Sequence, residues 1–353
     1  MRVVVIGGGI AGLSAAAALA PDAEVTLLER ETALGYHASG RSAAMFEENY
    51  GNEVVCALSR ASKAGHEAFG VLSPRGLLGV ALVGDGGLFD ADIEALGLRE
   101  IPVAEAHKRV PILSEGIVRA AVHDEAADID TDRLLQGLAQ QARSHGAVVR
   151  TGAEVTEITR GDGWRLRVGD EELAADVVVN AAGAWADRMA TLAGVTPVGL
   201  QPYRRSMARL PAPGGHNVRG WPMLFGPGES WYAKPDAGGW IVSPAEEDPV
   251  EPMDAWADDM VLAEGLARYQ PYVTEEVTRV ETNWAGLRTF APDRTLVIGE
   301  AAQDGFFWSA GQGGYGFQTG PAAGALLADL VCGRKPELGA DLVAAVSPER
   351  FSA

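Results

Sequence analysis

The sequence predicts an α/β fold that combines a discontinuous domain built on a parallel sheet with a second, β-rich domain. A run of apolar, mostly β-branched residues at 3–6 predicts a buried parallel strand, and further apolar strands are expected at 176–180, 296–299 and 305–310. Residues 199–283 are instead rich in Pro, Gly, Trp and Tyr, with short alternating strands. Because 353 residues exceed what one core usually holds, we expect two domains.

The first strand leads directly into a glycine turn and a helix. Gly7, Gly9 and Gly12 give the G-x-G-x-x-G spacing, and an alanine-rich helical segment follows. In such a turn the glycines allow a tight bend, close approach to a pyrophosphate and close packing of helix on strand. Residues 24–29 supply the second strand, whose terminal Glu29 is placed to accept hydrogen bonds from a ribose. Together these elements predict a Rossmann-like dinucleotide site.

The composition is that of a globular protein with a strong acidic balance. The chain carries 48 acidic and 29 basic side chains, a formal charge of −19, which argues against nucleic acid or an anionic membrane as a partner. The two cysteines, Cys56 and Cys332, form no disulfide or metal pattern, which favours the reducing cytoplasm. Three successive glycines interrupt the apolar amino terminus, so we expect no signal peptide and no membrane insertion.

Later segments return the chain to the first sheet. Residues 52–69 predict a helix. Another helix is expected from the N-cap residue Asp130 to Gly146, and 147–149 follow as a strand. Residues 90–118 contain only short helical pieces and turns, which indicates the first insertion of the second domain.

Three loops are expected to face a ligand. The long polar loop 31–50 contains arginine, serines and small residues, which suit a loop wrapped on a charged ligand. The turns at 180–187 and 311–319 are rich in small residues that let backbone pass close to a ligand. The second of these turns enters a helix that is expected to end near Val331.

Six motifs are informative as a set: Gly7–Gly12, Glu29–Arg30, Ser39–Ala44, Asn180–Trp185, Trp284–Arg288 and Gln312–Gly316. In their order they resemble the FAD-dependent amine oxidoreductases, the group that includes glycine oxidase, sarcosine oxidase and D-amino-acid oxidase. Within that group the chain is most similar to the D-arginine dehydrogenases, nearly from end to end, on further matches at Asp128–Asp132, Gln201–Pro202, Arg204–Ser206, Trp221–Leu224 and Lys234–Gly238. We therefore expect an FAD-binding domain at 1–75, 136–196 and 285–353, and a substrate domain at 76–135 and 197–284.

The resemblance implies oxidative deamination of a D-amino acid. A hydride passes from the α-carbon to flavin N5, and the imino acid then hydrolyses in water to the 2-oxo acid. We expect FAD to be bound without a covalent bond, because no Cys or His is clearly poised for flavinylation. The sequence leaves open the exact amino acid, the electron acceptor, the choice between oxidase and dehydrogenase, and the oligomeric state.

The expected cofactor residues lie in the motifs and turns just described. The turn Gly313–Gly316 can place N–H groups near the pyrimidine edge, where reduced flavin gains negative charge. The residues assigned to the cofactor are Gly7, Gly9, Ile10, Ala11, Glu29, Arg30, Ser39, Arg41, Ser42, Ala43, Val155, Ala182, Gly183, Trp185, Arg288, Gly313, Gly314, Tyr315, Gly316, Phe317 and Gln318.

The carboxylate of an amino-acid substrate is best bound by arginine, whose planar guanidinium makes two parallel hydrogen bonds. Arg205 and Arg288 match positions that the resemblance places at the substrate, as do Tyr50, Tyr232 and Gly314. Hydride transfer requires only that the amine be neutral, so no protein base is assigned.

The remaining polar residues have structural interpretations. We expect Arg204 to form a structural ion pair and His37 to hydrogen-bond backbone. The six histidines have no metal-binding spacing, and the acidic segment Asp128–Asp132 is expected to cap a helix, so we expect no metal.

Two positions predict the side-chain preference. Where the D-arginine dehydrogenases have a glutamate and a histidine, this chain has Leu77 and Met45. A cationic side chain would lose its water there without gaining a partner. We therefore expect apolar or varied D-amino acids as substrates. Glu47 and Glu48 lie in the same loop as Met45 and could take the place of the missing glutamate by turning in to meet a cation, but two adjacent acids are more simply expected to form a solvated face.

Three other functions remain open. A secondary-amine oxidase of the sarcosine or glycine oxidase type is the first, and a non-catalytic flavin- or dinucleotide-binding redox sensor is the second. A nicotinamide dehydrogenase is disfavoured, because that fold does not need the carboxy-terminal glycine turn. Convergence of Arg205 and Arg288 on the flavin face would favour an enzyme, whereas a closed face would favour a sensor.

Overall fold

Two large β-sheets organise the chain in the structure, a computed structural model that describes residues 1–351. The strands are β1 (Arg2–Ile6), β2 (Glu24–Leu28), β3 (Met45–Phe46), β4 (Leu72–Pro74), β5 (Leu77–Ala81), β6 (Arg99–Ile101), β7 (Arg119–His123), β8 (Ala127–Ile129), β9 (Val148–Arg150), β10 (Val155–Arg160), β11 (Trp164–Val168), β12 (Glu171–Ala175), β13 (Val177–Asn180), β14 (Gln201–Leu210), β15 (Met223–Phe225), β16 (Tyr232–Asp236), β17 (Gly239–Ser243), β18 (Asp248–Pro249), β19 (Thr282–Phe290), β20 (Val297–Glu300) and β21 (Phe306–Ala310). The helices are α1 (Ile10–Leu19), α2 (Glu53–Phe69), α3 (Gly86–Leu96), α4 (Val103–Arg109), α5 (Thr131–Ser144), α6 (Ala186–Leu192), α7 (Asp259–Tyr269), α8 (Gly316–Val331) and α9 (Ala340–Val346).

The first sheet is the expected Rossmann-like element. Its six strands run in the order β20-β21-β13-β1-β2-β9, and β1 pairs in parallel with both β2 and β13. Val3 and Val5 pack with α1, α5 and α8 on one face, whereas Val4 and Ile6 pack with β10–β12 and α6 on the other. Because both faces are covered, an uninterrupted apolar strand is what this position requires.

The second sheet has nine strands, in the order β18-β14-β17-β16-β15-β5-β7-β6 with β19 also paired to β14. The antiparallel pair β14–β19 is the longest in this sheet, and it sets Arg205 opposite Gly286 and Tyr203 opposite Arg288. Trp231 and Trp240 are completely buried in its core, as expected for tryptophans of a β-rich domain. The two arginines expected at the substrate therefore stand on one strand pair.

The expected domain boundaries remain predictions, but two elements cross them. Strand β19 pairs with β14 over its whole length, so 285–290 continue the second sheet beyond the expected boundary at 285. Helix α5 begins at Thr131, before the expected boundary at 136, and Asp130 caps it by accepting a hydrogen bond from the N–H of Arg133. The boundaries therefore fall inside regular elements.

Helix α8 ends at Val331 as expected, so Cys332 is its C-cap and does not lie inside the helix, and α9 follows it. Helix α7 interrupts the β-rich segment 199–283, where only strands were expected. Within residues 1–351, no helix is both long and apolar enough to cross a membrane.

Candidate active site

Two adjoining cavities lie between the sheets, with volumes of about 220 and 180 Å³. The first cavity runs along the β1–α1 turn, and the second lies between loop 42–50 and the strands that carry Arg205 and Arg288. Both are lined by Ile10 and Gln312, so they adjoin each other, and together they are called the cleft here.

The β1–α1 turn forms the floor of the first cavity. Gly7 has φ +112°, and a Cβ there would lie 2.3 Å from the carbonyl oxygen of Ala181. A Cβ on Gly12 would lie 1.9 Å from the carbonyl oxygen of Gly7. Glycine is therefore required at both positions. The helix has no side-chain cap on its own N-terminus, but the N–H of Ile10 donates to Oγ of Ser39 at 3.0 Å. Ser39 thus holds the loop 38–41 against the turn.

Glu29 is fixed at the end of β2. Its Oε2 accepts from the N–H of Gly8 at 2.7 Å, and its Oε1 accepts from the N–H of Glu31 at 2.8 Å. A carboxylate oxygen has two lone pairs, so each retains capacity for a ribose hydroxyl. Glu29 lines the first cavity in an orientation set by backbone.

Three side chains pack together at the rim of the first cavity. The guanidinium of Arg30 lies 4.0 Å from the ring centre of Trp185, and Nη2 of Arg30 lies 3.1 Å from Nε2 of His37. Nε2 of His37 also lies 2.9 Å from Oε1 of Glu31. The expectation that His37 bonds backbone is therefore wrong, because the neighbouring carboxylate is the stronger partner.

Arg41 lines both cavities, but its guanidinium binds residues 254–255 and strand β19 on the far side of the cleft. Its Nη1 donates to the carbonyl oxygens of Ala255 at 2.7 Å and Ala285 at 3.0 Å, and its Nη2 pairs with Asp254. Arg41 therefore ties loop 38–41 across the cleft.

In the second cavity, Arg288 packs on the carboxy-terminal glycine turn. A Cβ on Gly314 would lie 3.0 Å from Nη1 of Arg288, so the guanidinium occupies space that only glycine leaves open. Nη1 of Arg288 donates to the hydroxyl of Tyr50 at 3.2 Å. That hydroxyl donates to Oε2 of Glu229, also at 3.2 Å.

Arg205 is the other guanidinium in this cavity and is only 5% exposed. Its Nη2 donates to Oε1 of Glu247 at 3.2 Å, while Nε and Nη1 have no partner among residues 1–351. The ring of Tyr232 lies 5.9 Å from the guanidinium carbon. Unpaired buried N–H groups are costly, so these two are available to an anion in the cavity.

The rest of the second cavity is not purely apolar. Met45 and Leu77 line it as expected, but Glu47 and Glu229 line it too. Glu47 is only 5% exposed, and its Oε2 lies 2.6 Å from Nδ1 of His123. The expectation of a solvated face is therefore wrong for Glu47, because His123 draws its side chain inward. The expectation that no carboxylate lines this pocket is wrong for the same reason.

Residues 2–330 match the family described as FAD dependent oxidoreductase. The chain belongs to this family. It is 30% identical to the glycine oxidase of Pseudomonas aeruginosa over an alignment of 369 positions, gaps included, which covers 95% of this chain and 96% of that one. The crystal structure of glycine oxidase from Geobacillus kaustophilus superposes with a TM-score of 0.83 at 25% identity, covering 99% of both chains. The dithionite-reduced L-α-glycerophosphate oxidase of Mycoplasma pneumoniae, solved with FAD bound, has a TM-score of 0.81 at 18% identity over 94% of both chains.

FAD is the cofactor of this flavoprotein family, and the first cavity fits it. At Gly7 and Gly9 no side chain keeps a pyrophosphate from approaching the backbone. Glu29 supplies carboxylate oxygens that can accept hydrogen bonds from a ribose. Nε2 of Gln312 is buried without a partner where the two cavities meet. This unsatisfied donor suits a polar ring edge at that place.

Most of the residues assigned to the cofactor border the cleft, although their individual roles stay predictions. Tyr315 borders neither cavity, since its ring packs against Tyr50 and Phe290. The amide of Gln318 borders the second cavity but donates to the carbonyl oxygen of Tyr50 at 3.0 Å. The assigned residues at the first cavity are Gly7, Gly9, Ile10, Ala11, Glu29, Arg30, Ser39, Arg41, Val155, Ala182, Gly183, Trp185 and Gly313. Those at the second cavity include Ser42, Ala43, Arg288, Gly314, Gly316, Phe317 and Gln318.

Glu229 and Gln312 were missed by the sequence reasoning. Glu229 has a left-handed backbone, φ 51°, in the turn between β15 and β16, and it stands three residues before Tyr232. An acid in a Pro-Gly turn is normally solvated, so no local signal marked it. Gln312 does have a signal, because it opens the carboxy-terminal glycine turn.

The expectation that Arg204 forms a structural ion pair is confirmed. Nη2 of Arg204 lies 3.0 Å from Oδ2 of Asp248. Asp128 pairs with Arg75 and Lys234, away from the cleft. Across residues 1–351, no cluster of His, Cys, Asp and Glu could hold a metal ion.

Proposed function

We propose that this flavoprotein catalyses the oxidative deamination of D-amino acids with varied side chains to imino acids, which water converts to 2-oxo acids. The observation that carries the proposal is the pair Arg205 and Arg288, which line one cavity that adjoins the cofactor cavity. Two guanidinium groups beside a flavin site suit a small substrate that carries a carboxylate. The glycine oxidases among its relatives act, by their names, on an amino acid.

Arg288 is the better candidate for holding the carboxylate. Its guanidinium is held from one side by the Gly314 turn and by the hydroxyl of Tyr50. Arg205 is already partly neutralised by Glu247, although its Nε and Nη1 remain unpaired. We infer that Arg288 makes the two parallel hydrogen bonds and that Arg205 adds a single donor.

Tyr50 and Tyr232 position the substrate and do not act as bases. Burial raises the pKa of the Tyr50 phenol far above neutrality, so the hydroxyl stays protonated. The hydroxyl of Tyr232 lies 3.5 Å from Sδ of Met207, a weak acceptor that a substrate group would replace. When bound, FAD supplies a two-electron acceptor for the hydride of the α-carbon.

The amine must be neutral when its α-C–H bond breaks, so that loss of the hydride leaves a protonated imine. Addition of water to the imine then releases ammonium and the 2-oxo acid. No side chain of the cavity is assigned as a base, because the reacting amine needs only to have released its proton beforehand. The chain's contribution is to fix the carboxylate, and thereby the α-carbon, against the cofactor.

The D configuration is supported by the resemblance of Tyr50, Arg205, Tyr232, Arg288 and Gly314 to the substrate residues of the D-arginine dehydrogenases. The deciding experiment follows bleaching of the flavin band without oxygen against matched D- and L-amino acids, glycine and sarcosine. We expect D-amino acids to bleach the flavin faster than their L-enantiomers. Bleaching by the L-enantiomers alone would contradict the proposal.

A glycine or secondary-amine oxidase is the second candidate, and the 30% identity to a glycine oxidase over 95% of the chain favours it. The same panel separates the two. Fast bleaching by glycine or sarcosine with slow bleaching by D-amino acids that have larger side chains would identify this second function. A redox sensor without turnover is disfavoured because Arg205 and Arg288 both line the cavity that adjoins the cofactor cavity.

A further inference from the structure

One wall of the second cavity combines apolar side chains with a buried carboxylate. Leu77 and His123 are directly opposite each other in the antiparallel pair β5–β7, so their side chains share one face of the sheet. His123 reaches Glu47, which lines the cavity together with Leu77 and Leu96. The carboxylate therefore lies beside the apolar residues that border the same space.

Glu47 is held in place from three sides. Its Oε2 lies 2.6 Å from Nδ1 of His123, its Oε1 accepts from the N–H of Asn49 at 3.1 Å, and its own N–H donates to Oε1 of Gln318 at 3.4 Å. Asn49 in turn donates through its side chain to the carbonyl oxygen of Leu96 at 3.2 Å. A carboxylate fixed by several contacts is preorganised for a ligand, because little side-chain entropy remains to be lost.

The other carboxylate of the cavity has a different position. Glu229 accepts a hydrogen bond from the hydroxyl of Tyr50, and that hydroxyl accepts one from Arg288, so Glu229 belongs to the end of the cavity where the substrate carboxylate is held. Glu47 has no such link to either arginine and stands instead next to His123. The two acids therefore face different parts of a bound amino acid.

We propose that Glu47, positioned by His123, selects the substrate side chain and favours D-amino acids whose side chain carries a positive charge beyond an apolar stem. This inference rests on the proposed function. The stem packs on Met45, Leu77 and Leu96, and the terminal cation meets a carboxylate that is already desolvated. A neutral side chain fills the same space but gives the carboxylate of Glu47 no positive charge from the substrate.

Matched ligands test the proposal without turnover. 6-Aminohexanoate and hexanoate share a carboxylate and stem and differ only in a terminal ammonium, and neither has an α-amine to oxidise. Their dissociation constants for the FAD-loaded protein follow from the change in the flavin spectrum. We expect the wild type to bind 6-aminohexanoate at least about tenfold more tightly than hexanoate. In Glu47→Gln we expect that ratio to fall to about one, with hexanoate binding unchanged.

Glu48→Gln is the matched control, because Glu48 is the adjacent acid in the same loop and does not border the cavity. It should preserve the wild-type ratio. Should Glu47→Gln fail to fold, Glu47→Asp retains the charge but withdraws it by one methylene, and it should lower the ratio to an intermediate value. Equal binding of the two ligands by wild type, or an unchanged ratio in the Glu47 variants, would overturn the proposal.

A turnover measurement separates this inference from the proposed function. D-Lysine and D-norleucine differ in the same terminal group, and kcat/KM for the pair should follow the binding ratio in each variant. If no D-amino acid bleaches the flavin while the ligand ratio still depends on Glu47, the proposed function fails and the assignment of Glu47 as the cation-binding residue survives. If both D-amino acids react equally in wild type and Glu47→Gln, the function stands and the inference fails.

Discussion

The hydroxyl of Tyr50 accepts a hydrogen bond from Nη1 of Arg288 and lies 3.2 Å from it. The same hydroxyl donates to Oε2 of Glu229 at 3.2 Å. Tyr50 thus links a guanidinium to a carboxylate inside the cavity. Burial raises the pKa of Tyr50, so this link persists throughout the neutral and mildly alkaline range. A substrate carboxylate that binds Arg288 lies next to this linked pair.

Removal of the linking hydroxyl should weaken catalysis moderately. A buried hydrogen bond contributes about 0.5–1.5 kcal/mol, so Tyr50→Phe should lower kcat/KM about 2- to 12-fold. Glu229→Gln should have a smaller effect in the Tyr50→Phe background than in wild type, because the two residues act through one contact. A double-mutant cycle measures this coupling, with Tyr272→Phe as the control, because the hydroxyl of Tyr272 also donates to a carboxylate but borders neither cavity. Additive effects would show that Tyr50 and Glu229 act independently.

Loss of the Arg288 guanidinium should be far more damaging. Arg288→Met leaves the substrate carboxylate without its partner, a loss of roughly 2–5 kcal/mol. That corresponds to a fall of about 30- to 3,000-fold in kcat/KM. FAD content should barely change, because the cofactor is held mainly at the other cavity. Arg204→Met removes an arginine of a structural pair outside the cleft and serves as control. Turnover by Arg288→Met within about threefold of wild type would exclude Arg288 as the carboxylate clamp.

FAD should be released intact by acid. Cys56 lies inside α2, where its thiol is 3.5 Å from the carbonyl oxygen of Gly51, and Cys332 stands at the C-cap of α8. Neither residue borders the cleft. After precipitation with acid, the yellow chromophore should therefore remain in the supernatant. Colour that stays with the pellet after washing would contradict non-covalent binding.

Local sequence patterns were sufficient for the first sheet and its turn. The spacing of Gly7 and Gly12 reflects a close backbone contact that leaves no room for a Cβ. Asp130 caps α5, as expected of a short polar residue that directly precedes a helix with an apolar stripe. These features depend on residues close together in the chain. For the same reason the apolar strand β1 was recognisable, since both its faces are buried.

The polar lining of the second cavity was not predictable in the same way. The burial of Glu47 depends on His123, 76 residues away, and nothing near Glu47 in the sequence announces that contact. Glu229 likewise enters the cavity because of a left-handed turn whose partner is Tyr50. Arg205 and Arg288 were identified only through a resemblance, since the meeting of their side chains in one cavity, from β14 and from β19, depends on the tertiary fold. Local patterns thus predict elements, while the charge of a cavity depends on tertiary contacts.

The ion pair between Arg41 and Asp254 should help to retain FAD. Hydrogen bonding to Arg41 lowers the pKa of Asp254 below its usual range, so the carboxylate stays charged above about pH 4 and loses its charge only as the pH falls further. Asp254→Asn should accelerate FAD dissociation by up to about fivefold, the range of an exposed pair. This difference from wild type should be constant from about pH 5 to 8 and decrease only as the pH falls below the usual pKa range of aspartate, about 4. Stopped-flow fluorescence measures the rates, with Asp236→Asn as a distant control. A difference that changes across neutral pH would show that another group governs retention.

Glu247 restrains the second arginine, and its removal should strengthen the binding of simple anions. Oε1 of Glu247 lies 3.2 Å from Nη2 of Arg205 and 2.9 Å from Nη2 of Arg294, so it offsets positive charge beside the cavity. Glu247→Gln leaves the buried guanidinium of Arg205 without this counter-charge, and the cavity becomes more attractive to a carboxylate. We expect hexanoate to bind about two- to fivefold more tightly to Glu247→Gln than to wild type, as measured from the flavin spectrum. Asp248→Asn, which removes the partner of Arg204, should leave hexanoate binding unchanged. Weaker binding to Glu247→Gln would mean that Glu247 is needed to orient Arg205 and that its charge is secondary.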